Sequence, residues 1–236
     1  MQFWLIEVLL LVLALLSVMT FISEVVAMPP RNLIEKSQEG KAPSAPELMD
    51  AQRKLEKALF FNPLGASLAL EAGMLYQFQA LGHPQWSSKA QKLHSKATEK
   101  FKLATELRPS WGPAWAYLAQ SHVLNLNTGP EAYKALERAL LFSPWSFQTQ
   151  RHSISLGLAL WNEAPEKLQD QMKGALNRAF TDNRETLFVL HTAAMQGKEN
   201  MIRPMLPHQK ALDALECVLE AREKKADDRY CLYKLK

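Results

Sequence analysis

The chain has 236 residues, 47% hydrophobic and 22% charged, with a formal net charge of +4. That length suits one domain of moderate size plus an appendage. The charge is too mild and too evenly mixed to nominate a nucleic acid, and its basic bias points at most to an anionic partner or a lipid surface.

From Phe3 to Ala27 the chain is apolar apart from Glu7, Ser17, Thr20, Ser23 and Glu24. At a rise of about 1.5 Å per residue such a run crosses the roughly 30 Å of a hydrocarbon core. Glu7 and Glu24 then fall near the interfaces, and Trp4 suits the aromatic belt. Residues 1–28 are therefore predicted to be an uncleaved transmembrane anchor, with residues 3–27 against the bilayer. A cleaved signal peptide is the rival, because Val25-Val26-Ala27 ends in a small residue, and a buried soluble helix is a third reading. No Lys or Arg precedes the apolar run, however, where a secretory signal is basic. Beyond the anchor, 28 basic and 22 acidic side chains give +6. Arg31, Lys36 and Lys41 follow the span, which by the positive-inside rule favours a cytoplasmic domain.

Met28-Pro29-Pro30 is predicted to end the first helix, since consecutive prolines do not continue one. Residues 29–46, which include Ser-Gln-Glu-Gly-Lys-Ala-Pro-Ser-Ala-Pro, read as a flexible tether. Everything after it reads as helical, with Gly and Pro at the boundaries and no period-2 stretch. Helices are predicted over 47–61, 66–81, 87–107, 113–125, 130–142, 147–161, 165–180 and 184–196. Pro204 and Pro207 interrupt the chain before a last helix over 208–225. The repeat domain is thus 47–200, and 201–236 form a C-terminal helix and a tail that is either frayed and solvated or, with its alternating charges, Tyr230 and Tyr233, in touch with acidic lipid or a partner. Cys217 and Cys231 are either a disulfide or two lone thiols, since spacing does not set their distance.

A phrase recurs in these helices. Ala58-Leu59-Phe60-Phe61-Asn62-Pro63, Ala104-Thr105-Glu106-Leu107-Arg108-Pro109 and Ala139-Leu140-Leu141-Phe142-Ser143-Pro144 each close a helical run with an alanine five residues before a proline. The prolines are 46 and 35 residues apart. A period near 34 residues marks tetratricopeptide-like helix pairs. The second helices carry Ala51, Leu55, Ala58; Ala97, Phe101, Ala104; and Ala132, Leu136, Ala139, each set on one helical face. In the first helices Gly73 and Tyr76, then Trp115, Leu118 and Ala119, fill the small and aromatic positions where two helices cross. The third first helix is degenerate, with Gln150 in place of Trp, and the match fades beyond Pro165, as a terminal unit facing water does. The fold class is therefore all-α: an anchor helix followed by an α-solenoid of helix pairs, with a plain helix bundle as the alternative.

One stretch goes beyond generic repeats. Leu107-Arg108-Pro109-Ser110-Trp111, Ala114-Trp115-Ala116-Tyr117-Leu118-Ala119 and Ala135-Leu136-Glu137-Arg138-Ala139-Leu140-Leu141-Phe142-Ser143-Pro144-Trp145 resemble the VpsP-like family of small membrane-anchored proteins encoded with exopolysaccharide biosynthesis machinery. The resemblance implies a bacterial inner-membrane protein that assists polysaccharide polymerisation or export and faces the periplasm, against the flanking charge. It carries over no catalytic residue, and sidedness stays open.

Six scattered histidines include no HExxH, and CxxC, Walker, GxGxxG and GxSxG patterns are absent. No catalytic, cofactor-binding or metal-binding residue is nominated and no cofactor is expected. Trp115 reads as core, while Trp111 and Trp145 follow the proline corners, where they either pack onto the next repeat or serve as sugar-stacking or partner anchors. A concave face of first helices would present Gln77, Gln120, Gln148, Arg151 and His152 to a peptide or glycan. The functional expectation is a non-catalytic membrane-anchored scaffold that binds protein partners in the membrane or envelope, with polysaccharide as a further ligand. The alternatives are an accessory subunit whose span is the main contact and a glycan-processing enzyme.

Overall fold

The computed structural model describes residues 2–38 and 40–235. Met1, Glu39 and Lys236, which fall in the predicted anchor, tether and tail, lie outside the described residues. The described chain is all-helical and contains no strand. It divides into two compact units, residues 1–110 and 111–236.

The first unit comprises α1 (Gln2–Gln38), α2 (Ala45–Phe61), α3 (Ala66–Leu81) and α4 (Ser88–Leu107). Among the described residues, α1 is the helix long and apolar enough to cross a membrane. It does not stop at the prolines as predicted. Pro29 and Pro30 sit inside it, and the helix continues to Gln38. An interior proline costs about 3 kcal/mol through its missing N–H and its clash with the preceding turn. Tertiary packing offsets that cost. Ser23, Ala27, Pro30 and Ile34, spaced four, three and four apart, form one face of α1 and are all buried. Ser23 Oγ donates to the Ala58 carbonyl at 2.9 Å. Arg31 pairs with Glu24 two helical turns back and, through Nε, with Glu71 Oε1 of α3 at 2.8 Å. Burial pushes the Glu71 carboxyl up and Arg31 offsets only part of that, while Glu24 and Glu71 together raise the Arg31 guanidinium. The predicted tether of 29–46 is therefore corrected: only 40–44 form a short irregular connection, because the segment before it has a face to bury.

That connection ends in a capping box. Ser44 accepts from the Glu47 N–H, and the Glu47 carboxylate accepts from the Ser44 N–H, so α2 starts at Ala45. The loop is short, so α2 returns antiparallel along α1. Its buried stripe contains Ala51, Leu55 and Ala58. Helices α3 and α4 pack closely because Gly73 admits the ring of Phe101, and Ala97, Phe101 and Ala104 are fully buried.

The second unit comprises α5 (Gly112–Leu124), α6 (Pro130–Phe142), α7 (Phe147–Leu160), α8 (Glu166–Ala179), α9 (Asn183–Met195), α10 (Glu199–Ile202) and α11 (Gln209–Glu223), with 3-10 turns at Arg203–Met205 and Arg229–Leu235. Within it α5 touches α6 and α7, α6 touches α8, and α7 touches α8 and α9. Leu118, Ala119, Ala132, Leu136 and Ala139 are buried between these helices. The predicted frayed tail is corrected too. Cys217 and Cys231 form a disulfide with Cα atoms 5.8 Å apart, and Cys231 and Leu235 are buried in a 3-10 segment packed on α11 and α9.

Candidate functional site

Most of the residues predicted to pack the repeats lie in the interior of their unit. The three second-helix triplets are buried, as are Gly73, Leu118 and Ala119. Two depart from a plain core role. Tyr76 is half-buried and its hydroxyl donates to Glu56 Oε1 at 3.1 Å; burial, then the Glu56 carboxylate, pushes its pKa up to about 12. Trp115 is half-buried, with the Arg138 guanidinium 4.6 Å from its ring centre. Trp145 is 78% exposed at the α6–α7 corner, held beside Arg178, whose Nε donates to the Pro144 carbonyl.

The residues of the predicted partner-binding face fall in both units. Gln77 is buried inside the first unit, because α3 is enclosed on nearly every side. The amide Nε2 of Gln77 is buried without a hydrogen-bond partner. In the second unit Gln120 is half-buried, while Gln148 and Arg151 flank a hollow of about 480 Å³ that is also lined by Phe147, Asp182, Arg184 and Glu185. Arg151 is committed there. It grips the buried Glu185 carboxylate in a two-pronged pair, Nη2 to Oε1 at 2.6 Å and Nε to Oε2 at 2.8 Å, and covers the Phe188 ring. Asp182 caps α9 by accepting from the Arg184 and Glu185 N–H groups.

His152 packs edge-on against Tyr117 with ring centres 4.8 Å apart, and its Nε2 is buried without a partner. Burial pulls its pKa down from 6.5 to about 4. Below about pH 6.5 the unfolded chain therefore gains a proton that the folded ring refuses, so stability declines until the pH nears the folded value. The expected loss is at most about 3 kcal/mol. Denaturation midpoints of the native chain and His152→Phe, compared between pH 7.5 and 4.5, check it. The variant should lose less stability on acidification, and equal slopes would contradict the assignment.

A second hollow, of about 650 Å³, lies in the first unit among Leu48, Met49, Phe78, Leu81 and Leu93. Sequence reading missed it, and it missed the exposed Phe60 and Leu64. A signal existed for Phe60. The core stripe of α2 takes Leu48, Ala51, Leu55, Ala58 and Leu59, so a phenylalanine directly after Leu59 falls outside it. Among the described residues no cluster of His, Cys, Asp and Glu is arranged to hold a metal. The site offers shape, aromatic surface and charge. No family model matches this chain, and no curated protein matches it.

Proposed function

We propose that this chain is a non-catalytic membrane-anchored scaffold: α1 crosses the bilayer, and helix pairs arranged as an α-solenoid hold protein partners beside it. The observation that carries the reading is the continuity of α1, whose exposed apolar stretch runs without a break into the buried face of Ser23, Ala27, Pro30 and Ile34. Cleavage after Ala27 would remove Ser23 and its bond to Ala58, which favours a retained anchor over a signal sequence. Without a tether, confinement to the membrane raises the local concentration of partner and also limits the angles at which it is met. The Cys217–Cys231 disulfide favours an exported domain, since such bonds persist in oxidising compartments. That agrees with the resemblance to exopolysaccharide-associated proteins and outweighs three flanking basic residues. The partner system is accordingly an envelope polysaccharide assembly in a bacterial inner membrane.

Affinity capture of the full chain from native membranes tests this reading. Polysaccharide-assembly proteins should co-purify when the apolar part of α1 is exchanged for an unrelated span, and should be lost when residues 45–235 are removed. The reverse pattern would make the span the principal contact. Turnover of the native polymer by the purified chain would replace the scaffold by an enzyme.

A further inference from the structure

We propose that the corner between α2 and α3, Phe60 to Leu64, is seated in the interfacial layer of the bilayer that α1 crosses. This rests on reading α1 as the anchor. It gives the first unit a second lipid contact, separate in sequence from the span.

Position comes first. Twenty residues at about 1.5 Å each cover the roughly 30 Å hydrocarbon core, so a span that begins at Trp4 ends at Ser23. Ser23 is fully buried and bonded to the Ala58 carbonyl, which brings the end of α2 level with the bilayer boundary. Direction follows from the fold. Ser37 near the end of α1 and Ala45 at the start of α2 line the same hollow, far along the helices from the Ser23–Ala58 bond. The pair is antiparallel, so residues after Ala58 head toward the lipid. Phe60 and Phe61 stand about 3–5 Å beyond the level of Ser23 at helical rise.

The chemistry of the corner fits that depth. Phe60 is 77% exposed and Leu64 76%, and the Phe60 and Phe61 rings meet edge-on at 5.6 Å. Lys57 is exposed one turn before Phe60, and no acidic residue occurs from Lys57 to Gly65. Aromatic rings backed by a lysine are what the headgroup layer accepts, the rings at the apolar boundary and the ammonium among anionic phosphates. In water the same side chains would form an uncovered apolar projection. With the span as one contact and this corner as the other, the first unit can neither swivel freely about α1 nor lift from the surface.

The experiment uses the full chain in phosphatidylcholine–phosphatidylglycerol vesicles doped with lipid carrying a nitroxide at the top of the acyl chain, which reports on positions 60, 64 and 81, or in a second sample near the chain's end, which reports on position 13 at the bilayer centre. Single cysteines, Phe60→Cys, Leu64→Cys, Leu13→Cys and Leu81→Cys, receive a polarity-sensitive fluorophore; the native pair stays oxidised and unlabelled. Leu81, 79% exposed at the opposite end of α3, is the water-side reference. Labels at 60 and 64 should be quenched severalfold more than the label at 81, with emission shifted to the blue. If 13 is quenched while 60 and 64 behave like 81, the corner lies in water or under protein and the proposal falls while the anchor stands. If 13 is not quenched, the anchor reading fails and takes the proposal with it. Both corner side chains are exposed, so folding is not at stake, and position 64 answers alone should Phe60→Cys disturb the end of α2.

Discussion

Replacing Gly73 with alanine should destabilise the α3–α4 pair by about 1–3 kcal/mol, the usual cost of overfilling a packed core. A Cβ at residue 73 would stand 2.4 Å from Phe101 Cε1 and 2.6 Å from Cδ1. The Phe101 ring is fully buried and rigid, so it can escape only by moving its helix. Two other glycines calibrate the claim. At Gly157 the new carbon would meet the Met172 Cε at 2.1 Å. A methionine end has rotamers to give, so Gly157→Ala should cost less than Gly73→Ala. At Gly174 the nearest group is the Arg178 Nη1 at 3.5 Å. There alanine should stabilise α8 by about 0.5–1 kcal/mol, through the backbone entropy that glycine loses in a helix. Phe101→Leu in the Gly73→Ala background tests the mechanism itself. Urea unfolding of the full chain in detergent should show the pair coupled, the double variant more stable than the two separate losses predict. Simple additivity would mean that Gly73 is present for some reason other than this ring.

Gly73, Phe101 and the alanine triplets are legible from spacing alone, because close helix approach constrains residue size at fixed intervals. Helix ends at Asn62-Pro63, Gly82 and Ser143-Pro144 are legible for the same local reason. The failures fall where distant contacts decide. Pro29-Pro30 reads as a stop only while the penalty of a proline is weighed alone; the face of Ser23, Ala27, Pro30 and Ile34 is present in the spacing, yet its burial depends on α2 and α3. Gln77 reads as a surface glutamine because a sequence does not display its neighbours in space. Its own helix carries a warning, since Leu68 to Leu75 leave few polar positions on any side. The pairing of Arg151 with Glu185, 34 residues away, has no local signature at all. The candidate surface is accordingly less legible than the fold: packing residues recur at fixed spacing, and the residues around the Arg151 hollow do not.

Reducing the Cys217–Cys231 bond should cost the second unit about 3 kcal/mol, the loop-closure value for a bridge between residues 14 apart in sequence. What the bond holds is specific. It fixes the 3-10 segment Arg229–Leu235 against α11 and α9, covers Leu235, and keeps Asp228 on His191. Without it a seven-residue turn with two buried side chains is left to retain that position, and so small an apolar area does not offset the chain entropy of ordering it. Limited trypsin digestion under reducing conditions should therefore cut first at Lys224, Lys225 and Arg229, while α2 to α4 resist as before. Cys217→Ser/Cys231→Ser should show the lowered stability without reductant and gain no further loss from it. The same bond provides a test of the proposed sidedness. In intact cells the two thiols should refuse a membrane-permeant maleimide until a reductant is supplied, as an exported domain requires. Prompt labelling of both cysteines without reductant would place the second unit in a reducing compartment and restore the cytoplasmic orientation that Arg31, Lys36 and Lys41 favour.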